Sequence, residues 1–264
     1  MNSYLLVIFM EYSLEELRKR HSVRDYETER LPEDVMATLR AEVTMTNSQE
    51  AGLNFQLFFD DDDPFRGFSR NYGMIKNARN YLAAVIDPSF DNAEERAGYY
   101  GEQFAMKLVE LGLGGCFISG TYSAAHVNAR MEVYERLPYV MSFGIPTKHG
   151  AGAMATLMAK IVHAKKRSAR DMFAGSDEEY SQAIRLFPWL DTALEGVLCA
   201  PSAANRQPVR IALTQREGIP CLEAFLQGGT PLDLGIAKYN FQAPLSVEGF
   251  WEWGDHSIFN IFDE

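Results

Sequence analysis

The chain has 264 residues, 47% of them hydrophobic and 23% charged, and a formal net charge of −11 at pH 7. That length suits one large domain or two small ones, and the apolar share supports a folded core rather than a disordered chain. The acidic balance argues against nucleic acid as the main partner, because binding a phosphate backbone needs a broad basic surface.

The apolar run from Tyr4 to Met10 is too short to span a bilayer, and neither a cationic segment nor a cleavage site frames it as a signal peptide. It reads as an added edge strand, or as an upstream extension ahead of Met10. A helix is predicted over Ser13 to Arg20, with Ser13 and Glu16 as a capping box, and a second over Pro32 to Val43. Strands are predicted at Leu53 to Asp60 and Asn80 to Asp87, the latter mostly buried. A long helix follows from about Asn92 to Leu111, stopped by the glycines of "GLGG". A third strand runs from Tyr139 to Pro146, and "AGAMATLMAKIVHA" reads as helix. Helical patterns recur around 177 to 198 and near 231 to 242, with a strand at Val209 to Thr214 between them. Trp251 and Trp253 alternate with Glu252 and read as the core face of a strand. Interleaved helices and strands favour an α+β or α/β class. A weak echo of "YYGEQFAMKLVELGLGGCF" in "PLDLGIAKYNFQAPLSVEGFW" suggests a diverged duplication.

Cys116, Cys199 and Cys221 are odd in number and far apart, which points to a reducing cytoplasm without structural disulfides. The five histidines lack metal-ligand spacing, so no metal site is expected. The acidic run "DDDDP" reads as a solvated loop.

Two stretches stand apart from these patterns. In "RKRHSVRDY" four cations surround Ser22. If the segment is extended, Arg20, Ser22 and Arg24 share one face, and two guanidinium forks beside a hydroxyl suit a phosphate. A solvated patch at a helix C-terminus accounts for the same residues. The downstream cluster "HAKKRSARD", with Lys165, Lys166, Arg167 and Arg170, carries the same two readings. In "APSAANRQPV" two prolines bracket small residues and two amides, Asn205 and Gln207. Such a turn can read the donors and acceptors on the rim of a flat heteroaromatic ring, or it can simply lead into a strand.

"RHSVRDY" resembles the Arg-x-Ser-x-Arg phosphate signature of the flavin-dependent nitroreductase superfamily, and "APSAANRQPV" resembles its Pro-Ser-x-x-Asn-x-Gln-Pro-Trp turn. "YYGEQFAMKLVELGLGGCF" is similar to its helix ending in Gly-Leu-Gly-Thr-Cys-Trp, "NYGMIKNARNYLAAV" to the lead into a central strand, and "FGIP" to a late Gly-x-Pro. The Pro-Ser turn stands in the second half of the chain, unlike in ordinary members. That order resembles a subgroup in which one chain mimics the usual dimer.

The resemblance implies a nitroreductase-like α+β fold with an internal pseudo-twofold duplication. Residues 1–264 would form a single compact unit, with 11–164 as the first half and 165–264 as the diverged second. It implies one FMN per chain. Phosphate would be held by Arg20, Ser22, Lys165 and Arg167, with His21 inside the signature, and Arg24 would lie nearer the pyrimidine end. Asn71 would contact the ring, Gly114 and Gly115 would offer N–H groups near N5, and Pro201, Ser202, Ala203, Asn205 and Gln207 would come from the second half. The implied activity is FMN-dependent transfer from NADH or NADPH to a small-molecule electron acceptor, a nitroaromatic or quinone, by a ping-pong cycle. No catalytic side chain is named. A flavin carrier or sensor without turnover is the alternative. A cytoplasmic monomer with no nucleic-acid or membrane partner is expected. Val209 stands where the superfamily has Trp, and "GGCF" where it has Thr-Cys-Trp.

Overall fold

The structure, a computed structural model, describes residues 12–67, 73–147 and 167–262. The run Tyr4 to Met10, Asn71, the helix expected over 151–164, and Lys165 lie outside the described residues. Six α-helices are present among the described residues: α1 (Leu14–Lys19), α2 (Glu33–Gln49), α3 (Ala93–Glu110), α4 (Asp177–Leu186), α5 (Leu190–Cys199) and α6 (Pro231–Gln242). Eight strands accompany them: β1 (Leu53–Phe58), β2 (Asn80–Ile86), β3 (Gly114–Ile118), β4 (Val140–Gly144), β5 (Val209–Arg216), β6 (Ile219–Leu226), β7 (Gly249–Trp251) and β8 (Ser257–Ile261). The described residues cluster into two compact units. Residues 20–67, 73–97 and 103–147 make the first, and residues 12–19, 98–102 and 167–262 make the second.

In the first unit the apolar run of β2 has no polar face to offer solvent, and all seven of its residues are buried. It is paired on both edges, antiparallel to β1 and to β4, and β3 pairs with the far edge of β4. The sheet order is β1-β2-β4-β3. Each fully buried large side chain here, such as Phe55, Leu82 or Phe143, is worth about 1.5–3 kcal/mol. Asn47 of α2 ties helix to sheet by bracketing one residue of β1. Its amide donates to the Phe55 carbonyl and its Oδ1 accepts the Phe55 N–H, both at 2.8 Å.

The second unit repeats that plan. Its sheet order is β5-β6-β8-β7, again antiparallel throughout. The β5–β6 hairpin closes through Glu217 and Gly218, both at positive φ, as a two-residue turn requires. In both units two strands, a helix and two strands follow one another in chain order; one helix, α2, precedes them in the first unit and three, α1, α4 and α5, in the second. α1 carries the expected capping box: Ser13 Oγ accepts the Glu16 N–H, and Glu16 accepts the Ser13 N–H at 2.8 Å. α6 begins the same way at Thr230 and Asp233, and every residue from Asp233 to Gln242 is buried. Gly196 on α5 meets it closely: a Cβ there would lie 2.0 Å from the Asn240 carbonyl oxygen.

Several expectations need correction. α2 runs on to Gln49, past the expected end at Val43. The region 177–198 is two helices, divided by Phe187 to Trp189. β3, β6 and β8 were not expected. The Gly114–Gly115 pair reads as a helix stop yet begins β3, because a glycine pair at a packed edge serves close approach rather than a break. Trp251 is buried in β7 as expected, but Trp253 lies beyond the strand and is only partly buried.

Candidate functional site

In the first unit the arginine segment lies along the free edge of β3. Ser22 pairs in parallel with Gly115, and the Val23 N–H donates to the Gly115 carbonyl at 3.0 Å. The segment then crosses to a second partner, where Lys76 N–H donates to the Arg24 carbonyl at 2.8 Å and Tyr26 N–H to the Lys76 carbonyl at 3.2 Å. Tyr26 locks the far end, its buried hydroxyl donating to the Val23 carbonyl at 2.6 Å and lying 2.8 Å from Ser142 Oγ. Arg20, Ser22 and Arg24 are each half-buried, whereas His21 is exposed and Val23 is buried. Val23 explains Gly114: a Cβ on that glycine would lie 2.3 Å from a Val23 methyl. At Gly115 a Cβ would meet Leu108 at 2.8 Å. Both positions are therefore glycine for packing, and only their peptide groups are left to face a ligand.

Cys116 sits under this segment. Burial pushes its thiol up, while the Arg24 charge, a hydrogen bond with Ser22 and the Arg20 charge pull the other way. Arg20, Ser22, Arg24, Gly114 and Gly115, far apart in sequence, are thus gathered around one strand edge.

In the second unit the turn from Pro201 to Pro208 is tightly wound. Ala204, Asn205 and Gln207 have φ of 51°, 50° and 47°. Left-handed backbone costs about 1–2 kcal/mol for each residue with a side chain, and such strain concentrates at functional sites. Ser202 holds the coil together. Its Oγ accepts the Gln207 N–H at 2.8 Å and its carbonyl accepts the Asn205 N–H at 2.9 Å. The Gln207 side chain reaches back to the end of α5, donating to the Leu198 carbonyl at 2.8 Å. One of its amide hydrogens is therefore committed, and Oε1 and the other hydrogen remain. Ala203 is exposed, while Pro201, Ser202, Asn205 and Gln207 are partly buried.

Arg167 belongs to this group, since its Nη1 donates to the Gln207 carbonyl at 2.8 Å. Arg210, which sequence reasoning passed over as one position of a strand, donates to the same oxygen at 2.7 Å. A second overlooked signal is the repeat of Ser-x-Arg-Asp at Ser22–Asp25 and Ser168–Asp171. The second copy is structurally employed. Ser168 and Asp171 cap a 3-10 turn, and Arg170 pairs with Asp177 at 2.9 Å, donates to the Gly175 carbonyl at 2.7 Å and lies over the Tyr180 ring.

A polar cleft of about 730 Å³ opens elsewhere in the first unit, lined by residues including Asp60, Asp62, Arg66 and Arg79. Its charges are matched internally, Arg66 with Asp62 at 2.5 Å and Arg79 with Asp60 at 3.2 Å. No cluster of metal-ligating side chains occurs among the described residues, and no described helix is long and apolar enough to cross a membrane.

Residues 13–244 match the family model "Putative TM nitroreductase". The chain belongs to this nitroreductase family. Among solved structures, the chain is similar to a "putative nitroreductase" from Thermotoga maritima, with a TM-score of 0.57 at 20% identity over 99% of this chain and 98% of that one. That likeness establishes the nitroreductase-like α+β fold. An FMN-dependent nitroreductase from Clostridium difficile aligns at 18% identity over 58% of this chain and 98% of its own, with a TM-score of 0.42. A nitroreductase with bound FMN from Bacteroides fragilis aligns at 13% identity over 53% and 90%, with a TM-score of 0.41. No curated protein sequence matches the chain.

Proposed function

We propose that this nitroreductase is an FMN-dependent NAD(P)H oxidoreductase that reduces nitroaromatic or quinone-type acceptors in a ping-pong cycle. The observation that carries the reading is the seating of the Arg20–Arg24 segment on the Gly115 edge of β3. It concentrates guanidinium and hydroxyl donors on a chain that is otherwise acidic. The donor set fits a phosphate-bearing flavin: Arg20 and Ser22 for the phosphate end, Arg24 for the pyrimidine end, and a strained turn with amide groups for the ring. When bound, FMN accepts hydride from NADH or NADPH and delivers it to the acceptor.

The chain's own residues bind and tune. Arg20 and Ser22, with Lys165 and Arg167, are assigned to the phosphate, and His21 to the cofactor as part of the same signature. Arg24 supplies a fixed positive charge toward the pyrimidine end, where negative charge develops on reduction. Asn71, the peptide groups of Gly114 and Gly115, and the turn residues Pro201, Ser202, Ala203, Asn205 and Gln207 are assigned to orienting the ring. No side chain is assigned as a general acid. The three free cysteines fit a reducing cytoplasm. The shared strand order of the two sheets supports a chain of two fused halves acting as a monomer.

Anaerobic mixing of the flavin-loaded protein with NADH or NADPH tests the activity. Bleaching of the flavin band within seconds is expected, and none over an hour points to flavin binding without turnover. The double variant Arg20→Ala, Arg167→Ala is expected to purify without FMN. Full flavin content in that variant removes the phosphate assignment.

A further inference from the structure

Arg24 is held at its backbone and unspent at its side chain. Its guanidinium has no hydrogen-bond or ion-pair partner among the described residues, although the residue is half-buried. The peptide that joins Val23 to Arg24 offers its carbonyl to the Tyr26 hydroxyl at 2.6 Å. The next peptide offers the Arg24 carbonyl to the Lys76 N–H at 2.8 Å. Peptide groups are planar, so pinning both of these fixes the two dihedrals of the residue between them. Those two bonds therefore set the direction in which the Arg24 side chain leaves the chain.

One of the two pins is a side chain with a single place to be. Tyr26 is 1% exposed. Its ring lies against Gly144, where a Cβ would come within 3.1 Å of it, and its own carbonyl accepts the Asn77 amide at 3.0 Å. The hydroxyl has one proton to give. Val23 is the nearer carbonyl, at 2.6 Å against 3.1 Å for that of Ser142. The Tyr26 oxygen then accepts from Ser142 Oγ at 2.8 Å. Ser142 is fully buried in β4, paired with Tyr81 on one side and Cys116 on the other. A chain of directed hydroxyls thus runs from the middle of the sheet, through Tyr26, to the peptide ahead of Arg24. Burial holds the Tyr26 phenol well above the ordinary tyrosine value, so the proton it donates is kept at neutral pH. A phenylalanine would fill the same space beside Gly144. What the hydroxyl adds is its grip on the Arg24 backbone.

We infer that Ser142 and Tyr26 are positioning residues that act through Arg24 and set the site's preference for reduced over oxidised FMN, an assignment that rests on the flavin reading above. A charge fixed in advance stabilises the anion formed on reduction without having to reorient, whereas a loosely held arginine turns toward water, where its field is screened. The oxidised ring carries no such charge, so the gain belongs to the reduced state.

The test measures the Kd of flavin-free protein for oxidised FMN and the midpoint potential of the bound flavin. Tyr26→Phe is expected to leave oxidised FMN within about threefold and to weaken reduced FMN by about tenfold, which moves a two-electron couple about 30 mV negative. Ser142→Ala is expected to move it the same way by less, and it carries the test if Tyr26→Phe does not fold. Both changes are repeated on Arg24→Gln, where neither should shift the potential further. A merely structural loss would lower the urea midpoint in both backgrounds and leave the two redox states of FMN equally affected. An unshifted potential with FMN still bound, or the same shift with and without Arg24, overturns the inference and leaves the flavin reading standing. No FMN binding by the unaltered protein overturns both.

Discussion

Tyr26 and Tyr81 show how a single side chain ties a loop to the sheet and leaves a signature in solution. Tyr26 is held by Val23 and Ser142. Tyr81, fully buried in β2, donates to Asp61 at 2.8 Å and accepts the Asn128 N–H at 3.2 Å. Burial raises both phenols well above the ordinary tyrosine value, and Tyr180 is pushed up to about 12 by burial and its hydrogen bond to Asp191. A pKa raised in the folded state means the unfolded chain releases its proton first as pH rises. The stability these groups carry is therefore complete below the unfolded value near pH 10 and lost as pH climbs through the folded values. We expect the urea midpoint to fall above about pH 10 and near-ultraviolet absorbance to show fewer than 12 tyrosines ionising before unfolding. Full ionisation in the folded protein would contradict this. At this scale the sequence was partly legible. The cations around Ser22 stand out against an acidic chain. Arg210 does not, because in "VRIALT" it is merely the polar position of a strand, and only the fold brings it to the carbonyl it shares with Arg167.

Among the elements, α5 and α6 approach so closely that no side chain fits between them at Gly196. Gly196→Ala would push a methyl onto the Asn240 carbonyl, and we expect a loss of about 3 kcal/mol or more, read from the urea midpoint. Gly120→Ala is the control, since a Cβ there meets nothing within 4 Å; its change should stay within about 0.5 kcal/mol. The elements that were readable are those with an unbroken pattern. β2 is apolar at nearly every position, α3 holds a helical pattern through Glu110, and α1 announces itself with Ser13–Glu16. The elements that were missed have patterns interrupted by residues chosen for tertiary reasons. Gly114 makes room for Val23, Pro220 sits near the start of β6, and the short β7 and β8 take their definition from pairing with each other and with β6.

At the scale of the molecule, the two sheets share strand order, and in each unit a helix stands between the first and second pair of strands, a likeness that the weak internal echo hinted at. The second copy of the Ser-x-Arg-Asp repeat serves local structure through Arg170 and Asp177. A fused origin predicts a monomer of 29.8 kDa in light scattering, with one FMN released per chain on denaturation. A tightly associated dimer binding one flavin per two chains would contradict the proposal. What the chain could not reveal by itself is which distant residues gather at one place: Ser22 with Gly115, or Arg167 with Gln207. Those pairings depend on strand order, and strand order is set by burial summed over a whole sheet.

The middle of α3 has a consequence for anyone who would cut this protein apart. Residues 98–102 belong to the second unit, where Tyr99 donates to Gln242 at 3.1 Å and Asn240 donates to the buried Glu102 at 3.0 Å. Residues 12–19 belong there as well. Expression of 167–262 alone would therefore omit a donor, a buried carboxylate and a capped helix that its core is built around. In sequence the polypeptide is a weave, and a cut ahead of residue 167 would strip the second unit of threads that lie far upstream.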